Sequence, residues 1–387
     1  MSILKCFPNA LAAAALMLAL CSPAMASESP QRLAPDVREA VRASPRGPAV
    51  IAHRGASALL PEHTLEAYAR AIEDGADFIE PDLVMTRDGV LVARHENEIG
   101  GTTDVASHPE FAHLRTRRTV DGLPVEGWFI EDFSIDELLT LRARERLPEL
   151  RGTQHDGMYR VPMFDEIVQL VAEASKRTGR PIGLMPEIKY SSHFHARGLD
   201  PEQALLSALR AYPYTQRVPV GIQSFEVGNL KRMRGMLDAA GIGNVFLVQL
   251  VGALDTSPYD VLLSGRVRTY REMLTPQGLA EVAGYADVIA PPQRAVLPLN
   301  GSGGLGAPTP LVAAAHAAGL AVHVWTLRPE NRFLPPALRC AGGDGARCDR
   351  GAADEAVALA AAGVDAVFAD DPGQVLRALR ASESARR

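Results

Sequence analysis

The sequence predicts an α/β fold, a (β/α)8 TIM barrel with an insertion after its second strand, on three observations. Eight short β-rich runs alternate with helical stretches from residue 50 onward. Several helices stop on a glycine that a strand follows directly. The side chains able to do chemistry gather at the ends of those strands. Repeated strand, helix, glycine stop and strand is the pattern of parallel βα units, and eight of them close a barrel.

The expected strands are Val50 to Ala52, Phe78 to Leu83, Ile182 to Ile188, Val218 to Ile222, Val245 to Leu250, Val288 to Ala290, Ala321 to Thr326 and Ala366 to Ala369. Leu65, Tyr68, Ala69 and Ile72 fall on one helical face, as do Ile167, Leu170, Val171 and Ala174. The stops are Gly75, Gly319 and Gly363, where glycine supplies the left-handed residue past a helix end. An open doubly wound sheet is the rival fold. It usually carries a glycine-rich turn after its first strand, whereas here that strand runs into His53-Arg54-Gly55. The cluster Gly301 to Gly306 follows no strand directly and reads as a loop.

At the N-terminus, residues 1–26 hold one charge, Lys5, an apolar run from Leu11 to Leu20, and Pro23-Ala24-Met25-Ala26 with small residues where a signal peptidase cuts. The run is shorter than the roughly 20 apolar residues of a membrane span. A signal peptide cleaved after Ala26 is therefore expected, with a periplasmic or secreted product. Residues 27–49 read as a lead-in, 50–378 as the barrel domain and 379–387 as a frayed C-terminal tail. A barrel needs about 250 residues, and the surplus lies mainly in residues 97–160. They are polar and turn-rich, and are expected as an insertion over the barrel mouth.

The 387 residues carry 40 Lys and Arg against 46 Asp and Glu. Without residues 1–26 the balance is 39 against 46, or −7. Such a chain has no broad basic field for gripping nucleic acid or anionic lipid. Its composition, 47% hydrophobic and 5% aromatic, is that of an ordinary globular protein. Beyond the leader the only cysteines are Cys340 and Cys348. In an exported chain they are expected to pair, closing a short loop worth about 2.5 kcal/mol in the chain-entropy model.

In a barrel of this kind, side chains at the C-terminal strand ends converge on one face. Those ends supply His53 and Arg54, then Glu80 and Asp82, then Glu187 and Lys189, then Gln223-Ser224-Phe225, and Trp325. His95 closes the run Val90 to Arg94, read as a hairpin extension of the second strand. Glu80 and Asp82 lie two apart in a strand and so share a side. With Glu187 they offer three hard oxygen ligands, suited to Mg2+ or Ca2+. A carboxylate pair could instead serve a glycosidase. Arg54 and Lys189 alongside favour a phosphate substrate, because Arg forks onto such oxygens. Two histidines flanking a cation-bound phosphoryl group could act as base or nucleophile on one side and acid on the other.

The ordered set His53-Arg54-Gly55, Pro61-Glu62-His63-Thr64, Glu80-Pro81-Asp82, His95, Glu187-Ile188-Lys189, Gln223-Ser224-Phe225, Trp325-Thr326 and Asp370-Asp371-Pro372 resembles the glycerophosphodiester phosphodiesterase family. The resemblance spans about residues 50 to 376. Glu96 to Asp104 and Gly127-Trp128-Phe129 look like its exported bacterial branch. It implies metal-dependent hydrolysis of small-molecule glycerophosphodiesters, such as glycerophosphocholine, to sn-glycerol 3-phosphate and an alcohol.

By position, the resemblance makes His53 and His95 the catalytic pair, and Glu80, Asp82 and Glu187 the ligands of one divalent cation, Ca2+ or Mg2+. Arg54 and Lys189 would bind phosphate, with Phe225 and Trp325 shaping the glycerol side. His63 and Arg328 depart from the family, which usually has Asn at the first and often at the second. His63 keeps a hydrogen-bond donor but can gain charge below neutral pH.

His193 and His195 read as part of a solvated polar loop, and His323 as a hydrogen-bonded wall residue. Two other functions fit the same barrel. One is a phospholipase D-like enzyme that forms a cyclic phosphate and should expose apolar side chains at the mouth, where residues 97–121 are polar. The other is a non-catalytic binding protein, which should have lost a carboxylate or a catalytic histidine.

Overall fold

A computed structural model describes residues 33–44 and 47–386. The expected leader, residues 1–26, lies outside the described residues. Eight strand positions run in chain order: Ala49–His53; Phe78–Glu80 continued by Asp82–Met85; Gly183–Leu184 continued by Glu187–Ile188; Val220–Ser224; Val245–Leu250; Val288–Ala290; Ala321–Leu327; and Ala366–Ala369. Each pairs in parallel with the next. The first also pairs with the eighth, Ile51 opposite Phe368, so the sheet closes on itself and the open-sheet rival is excluded.

The second and third positions are each broken where one continuous strand was expected. Pro81 and Pro186 lack the N–H that a strand interior donates. Both still accept through their carbonyls, Pro81 from the Glu187 amide at 2.9 Å and Pro186 from the Gln223 amide at 2.9 Å. The upper half of the second position pairs antiparallel with Leu91–Ala93, the hairpin extension that carries the chain to His95.

The barrel interior is a closed apolar cluster that includes Ile51, Phe78, Met185, Phe246, Val248 and Phe368. Its floor comes from the lead-in. Leu33, Val37 and Val41 on and around the helix Pro35–Ala40 join the same cluster, and buried His323 donates from Nε2 to the Val41 carbonyl at 3.1 Å. Met185 and Phe246, at the strand positions either side of the fourth, need room at Gly221 between them. A Cβ at Gly221 would lie 2.2 Å from Met185 Sδ and 2.6 Å from the Phe246 ring.

The helices outside follow the expected pattern with two shifts. In Leu65–Asp74 the buried stripe is Ala67, Tyr68, Ala71 and Ile72, rotated from the expected face. Residues 379–386, expected as a frayed tail, continue the helix Pro372–Arg386, because Leu376 and Leu379 are buried. Residues 97–160 contain the hairpin Thr116–Val120 and Leu123–Gly127. Cys340 and Cys348 are joined by a disulfide just before the helix Asp349–Ala361.

Gly221→Ala should therefore overpack the barrel interior and destabilise the protein by about 1–3 kcal/mol. The check is the urea midpoint of unfolding against the parent protein, and an unchanged midpoint would contradict the packing described here.

Candidate active site

One cavity of about 670 Å3 opens at the C-terminal end of the barrel. His53, Arg54, Glu80 and His95 line it from the first two strands and the hairpin, and Glu187 and Lys189 from the third. Phe225 and Trp325 line it from the fourth and seventh, their rings 6.2 Å apart and edge to face. Asp82 lies just behind, where its carboxylate, those of Glu80 and Glu187, and hence three ligand atoms, fall within 4.8 Å of one another. All the residues expected at the site from strand ends thus come together. Cys340 and Cys348 stand apart from it.

Local backbone geometry sets the first strand's contribution. Arg54 and Gly55 both adopt left-handed φ, of 59° and 90°. A Cβ on Gly55 would meet the Ala67 backbone at 2.7 Å, so the turn lies directly on the following helix. This turn points the Arg54 amide at Glu80 Oε2, 2.8 Å away. The guanidinium then reaches Glu62 at 3.0 Å and Asp82 at 3.2 Å.

Each cavity histidine has one nitrogen committed. His53 Nδ1 donates to Asp370 at 2.6 Å, and His95 Nδ1 to Glu96 at 2.5 Å. A carboxylate accepts only, so both rings carry their proton on Nδ1 and leave Nε2 as an acceptor. Burial, then Arg54, lowers His53 to about 4 despite Asp370. Burial, then Arg54 and Lys189, lowers His95 to about 3. In the free site both imidazoles are neutral at pH 7.

The supporting carboxylates are themselves held by arginines. Arg151 and Arg328 contact Asp370 Oδ2 at 2.6 and 3.1 Å. Burial would raise Asp370, but these two cations and His53 hold it well below the ordinary range. Arg146 forks onto Glu96 and also contacts Glu62 Oε1 at 2.6 Å, and Glu62 in turn holds Arg54. One chain of charge-assisted bonds therefore links His95 to the phosphate-side Arg54.

The three clustered carboxylates are 6% exposed or less. Burial, against Lys189 and with Asp82 adding to it, pushes Glu187 up to about 8. Burial, then Asp82, raises Glu80 well above its ordinary value. Asp82 goes the other way, since Lys189, Arg54, His95 and His63 together outweigh burial. Three such acids lack enough positive charge to ionise together, and their hard oxygens converge on one point. This donor set fits a divalent cation.

His63 does not face the cavity. It is fully buried, donates from Nε2 to Asp82 Oδ2 at 2.9 Å and accepts at Nδ1 from the Tyr68 hydroxyl at 2.7 Å. Burial lowers its pKa in spite of Asp82, so it orients that carboxylate as a neutral ring. His193 and His195 differ from their reading as a solvated loop. They lie on the helix Ser191–His195, where His193 is buried against Glu131 at 2.7 Å and His195 bonds Glu202 at 2.7 Å. His195, Asp200 and Glu202 could hold an ion by spacing, but Arg232 already bridges all three.

Sequence reasoning missed Arg146 and Arg151. They carry no motif, and their partners lie from 50 to 219 positions away. Glu62, Glu96 and Asp370 did stand inside recognised motifs, as acids without an assigned task.

The model of the glycerophosphoryl diester phosphodiesterase family matches residues 53–374. A glycerophosphodiester phosphodiesterase of Arabidopsis thaliana is 35% identical over 297 residues, 73% of this chain and 75% of the relative. One from Treponema pallidum is 30% identical over 299 residues, 73% and 81%. Among solved structures, one from Silicibacter pomeroyi DSS-3 in the same family superposes with a TM-score of 0.62 at 23% identity, covering 89% of this chain and 97% of that one. A phosphodiesterase from Oleispira antarctica, solved with its product sn-glycerol-3-phosphate, gives 0.53 at 19% identity, covering 86% and 97%. The structural likenesses speak for the barrel alone. The family match reaches from His53 to beyond Asp370 and so takes in both histidines and the carboxylate cluster: this chain belongs to the glycerophosphoryl diester phosphodiesterase family.

Proposed function

We propose that the protein hydrolyses glycerophosphodiesters, glycerophosphocholine and glycerophosphoethanolamine among them, to sn-glycerol 3-phosphate and the free alcohol. The observation that carries this reading is the pair of carboxylate-tethered histidines facing Arg54, Lys189 and three clustered carboxylates across one cavity. The family match over residues 53–374 supports the same chemistry. Glu80, Asp82 and Glu187 would hold one Ca2+ or Mg2+, which when bound polarises the phosphoryl oxygens and offsets the charge that grows on them.

Arg54 and Lys189 pair with the non-bridging oxygens and fix the phosphorus between the two rings. One imidazole Nε2 takes the proton of the attacking water, the P–O bond to the alcohol breaks, and the other ring gives the departing oxygen a proton. That second ring needs its own proton first. Burial is the main cause that keeps both histidines neutral in the free site, and phosphate charge on Arg54 counters the cationic part of the effect, shared with Lys189 only at His95. We further assign the enzyme to the periplasm or the medium, as an exported bacterial form. The leader-like residues 1–26 and the Cys340–Cys348 bond support that address.

One observation favours a second reading, the phospholipase D-like enzyme. Leu123, 67% exposed, and Leu262, 47% exposed, stand on the cavity rim where an acyl chain could lie. No helix among the described residues is long and apolar enough to cross a membrane.

Glycerol 3-phosphate release from glycerophosphocholine, followed with Ca2+, Mg2+ or chelator, should require metal. It should fall by about 100-fold or more in both His53→Ala and Glu187→Ala. A folded protein that gives no product with either metal would refute the substrate assignment, and cyclic phosphate from lysophosphatidylcholine would establish the second reading instead.

Arg146→Lys keeps the charge but loses the fork onto Glu96 and Glu62. It should lower kcat/KM by about 10- to 100-fold with little change in melting temperature. Full activity in that variant would show that His95 does not depend on the link.

A further inference from the structure

Across the closed barrel from His53 and the eighth strand lie the ends of the fourth and fifth strands. Their part of the cavity wall has a different chemistry. Glu226 follows the fourth strand, and Tyr259, Leu262 and Tyr270 come from the connection after the fifth. Asp121, at the tip of the insertion's hairpin, completes this wall.

Neither acid here is in an ion pair among the described residues; Lys189 and His193 act on Asp121 only from a distance. Glu226 is 5% exposed and accepts from the amide and hydroxyl of Ser192, both neutral donors, and no ion pair reaches it among the described residues. Burial pushes its carboxyl up to about 7. Asp121 Oδ1 is buried with no hydrogen-bond partner. The nearest cation on the cavity wall, Lys189, is already bound to Glu187 at 2.8 Å.

Aromatic faces stand beside these acids. The Tyr270 ring lies 6.3 Å from Phe225, edge to face at 82°. The space it fills is kept open by Gly252, where a Cβ would come within 2.8 Å of that ring. Carboxylates without an ion-pair partner beside aromatic side chains in a partly dry cavity favour a cation with apolar groups around it.

We infer that this wall is a subsite for a positively charged leaving alcohol, so that the enzyme selects diesters whose head group is a quaternary or primary ammonium. The inference rests on the hydrolase reading above. A diester held by Arg54 and Lys189 at its phosphate would extend its glycerol toward one side and its head group toward Asp121, Glu226 and Tyr270. The ammonium supplies the charge that the two acids lack, while Tyr259, Tyr270 and Leu262 pack against its carbons.

The test compares kcat/KM for glycerophosphocholine with that for glycerophosphoglycerol, whose head is neutral, in the parent protein, Asp121→Asn, Glu226→Gln and Tyr270→Leu. The parent should favour choline by about tenfold or more. Each variant should lower that selectivity ratio several-fold, and Asp121→Asn with Glu226→Gln together by about tenfold, at unchanged melting temperature. A parent that turns over the neutral diester equally well or better would overturn this inference and leave the hydrolase standing. Equal losses on both diesters in every variant would also overturn it, since they would mark a structural role. A parent that cleaves neither diester would overturn the inference and the hydrolase reading together.

Discussion

Burial of three carboxylates at one point is the constraint on which the site is organised. Glu80, Asp82 and Glu187 sit in a place too dry to ionise all three without added positive charge. Arg54 and Lys189 supply part of it, and the cluster fits a divalent cation that would complete the balance. Arg54 cannot serve Asp82 alone, so it is shared with Glu62, which draws in Arg146, which draws in Glu96 and so fixes His95. The orientation of the His95 ring is thus a consequence of compensating charge several bonds away.

The barrel provides the rigid end of this arrangement. The breaks at Pro81 and Pro186 occur at corresponding heights in neighbouring strands, where Glu80, Asp82 and Glu187 turn toward one another. Below them the interior is filled by Phe78, Met185, Phe246 and Phe368, and the floor by Val37 and its neighbours. A packed interior leaves the carboxylates no room to relax apart. Their repulsion is met by countercharge and not by movement.

Most of the site was legible because strand-end residues in a closed barrel meet whatever their separation, so finding the strands found His53, Glu80, Glu187 and Lys189. The same logic gave the glycine stops and the hairpin to His95. Arg146 and Arg151 were not legible, since one lies in irregular chain and the other ends a single helical turn, too short to show a period, and only the acids Glu62, Glu96 and Asp370, without an assigned partner in the sequence, hinted that cations must arrive. The terminal helix was missed for a simpler reason. Its polar residues outnumber Leu376 and Leu379, and two buried leucines are too few to mark a face. His63 stood out only as a departure from the family pattern, because sequence gives the donor but not the carboxylate it serves.

The two ends of the cavity are built by different means, and this bears on how such an enzyme can vary. Glu80, Asp82 and Glu187 stand on strands and Arg54 and Lys189 directly at strand ends, locked by register and by shared ion pairs, so a change at one disturbs several others. Asp121 and Tyr270 stand on connections outside the barrel, and Glu226 just past a strand end, each tied to the frame by a few neutral bonds. Exchanging those groups alters which alcohol is accepted without touching the charge balance around Glu80, Asp82 and Glu187. On the proposed assignment, reaction type is held by the buried electrostatics of the barrel, and head-group choice by connections that carry little of that load.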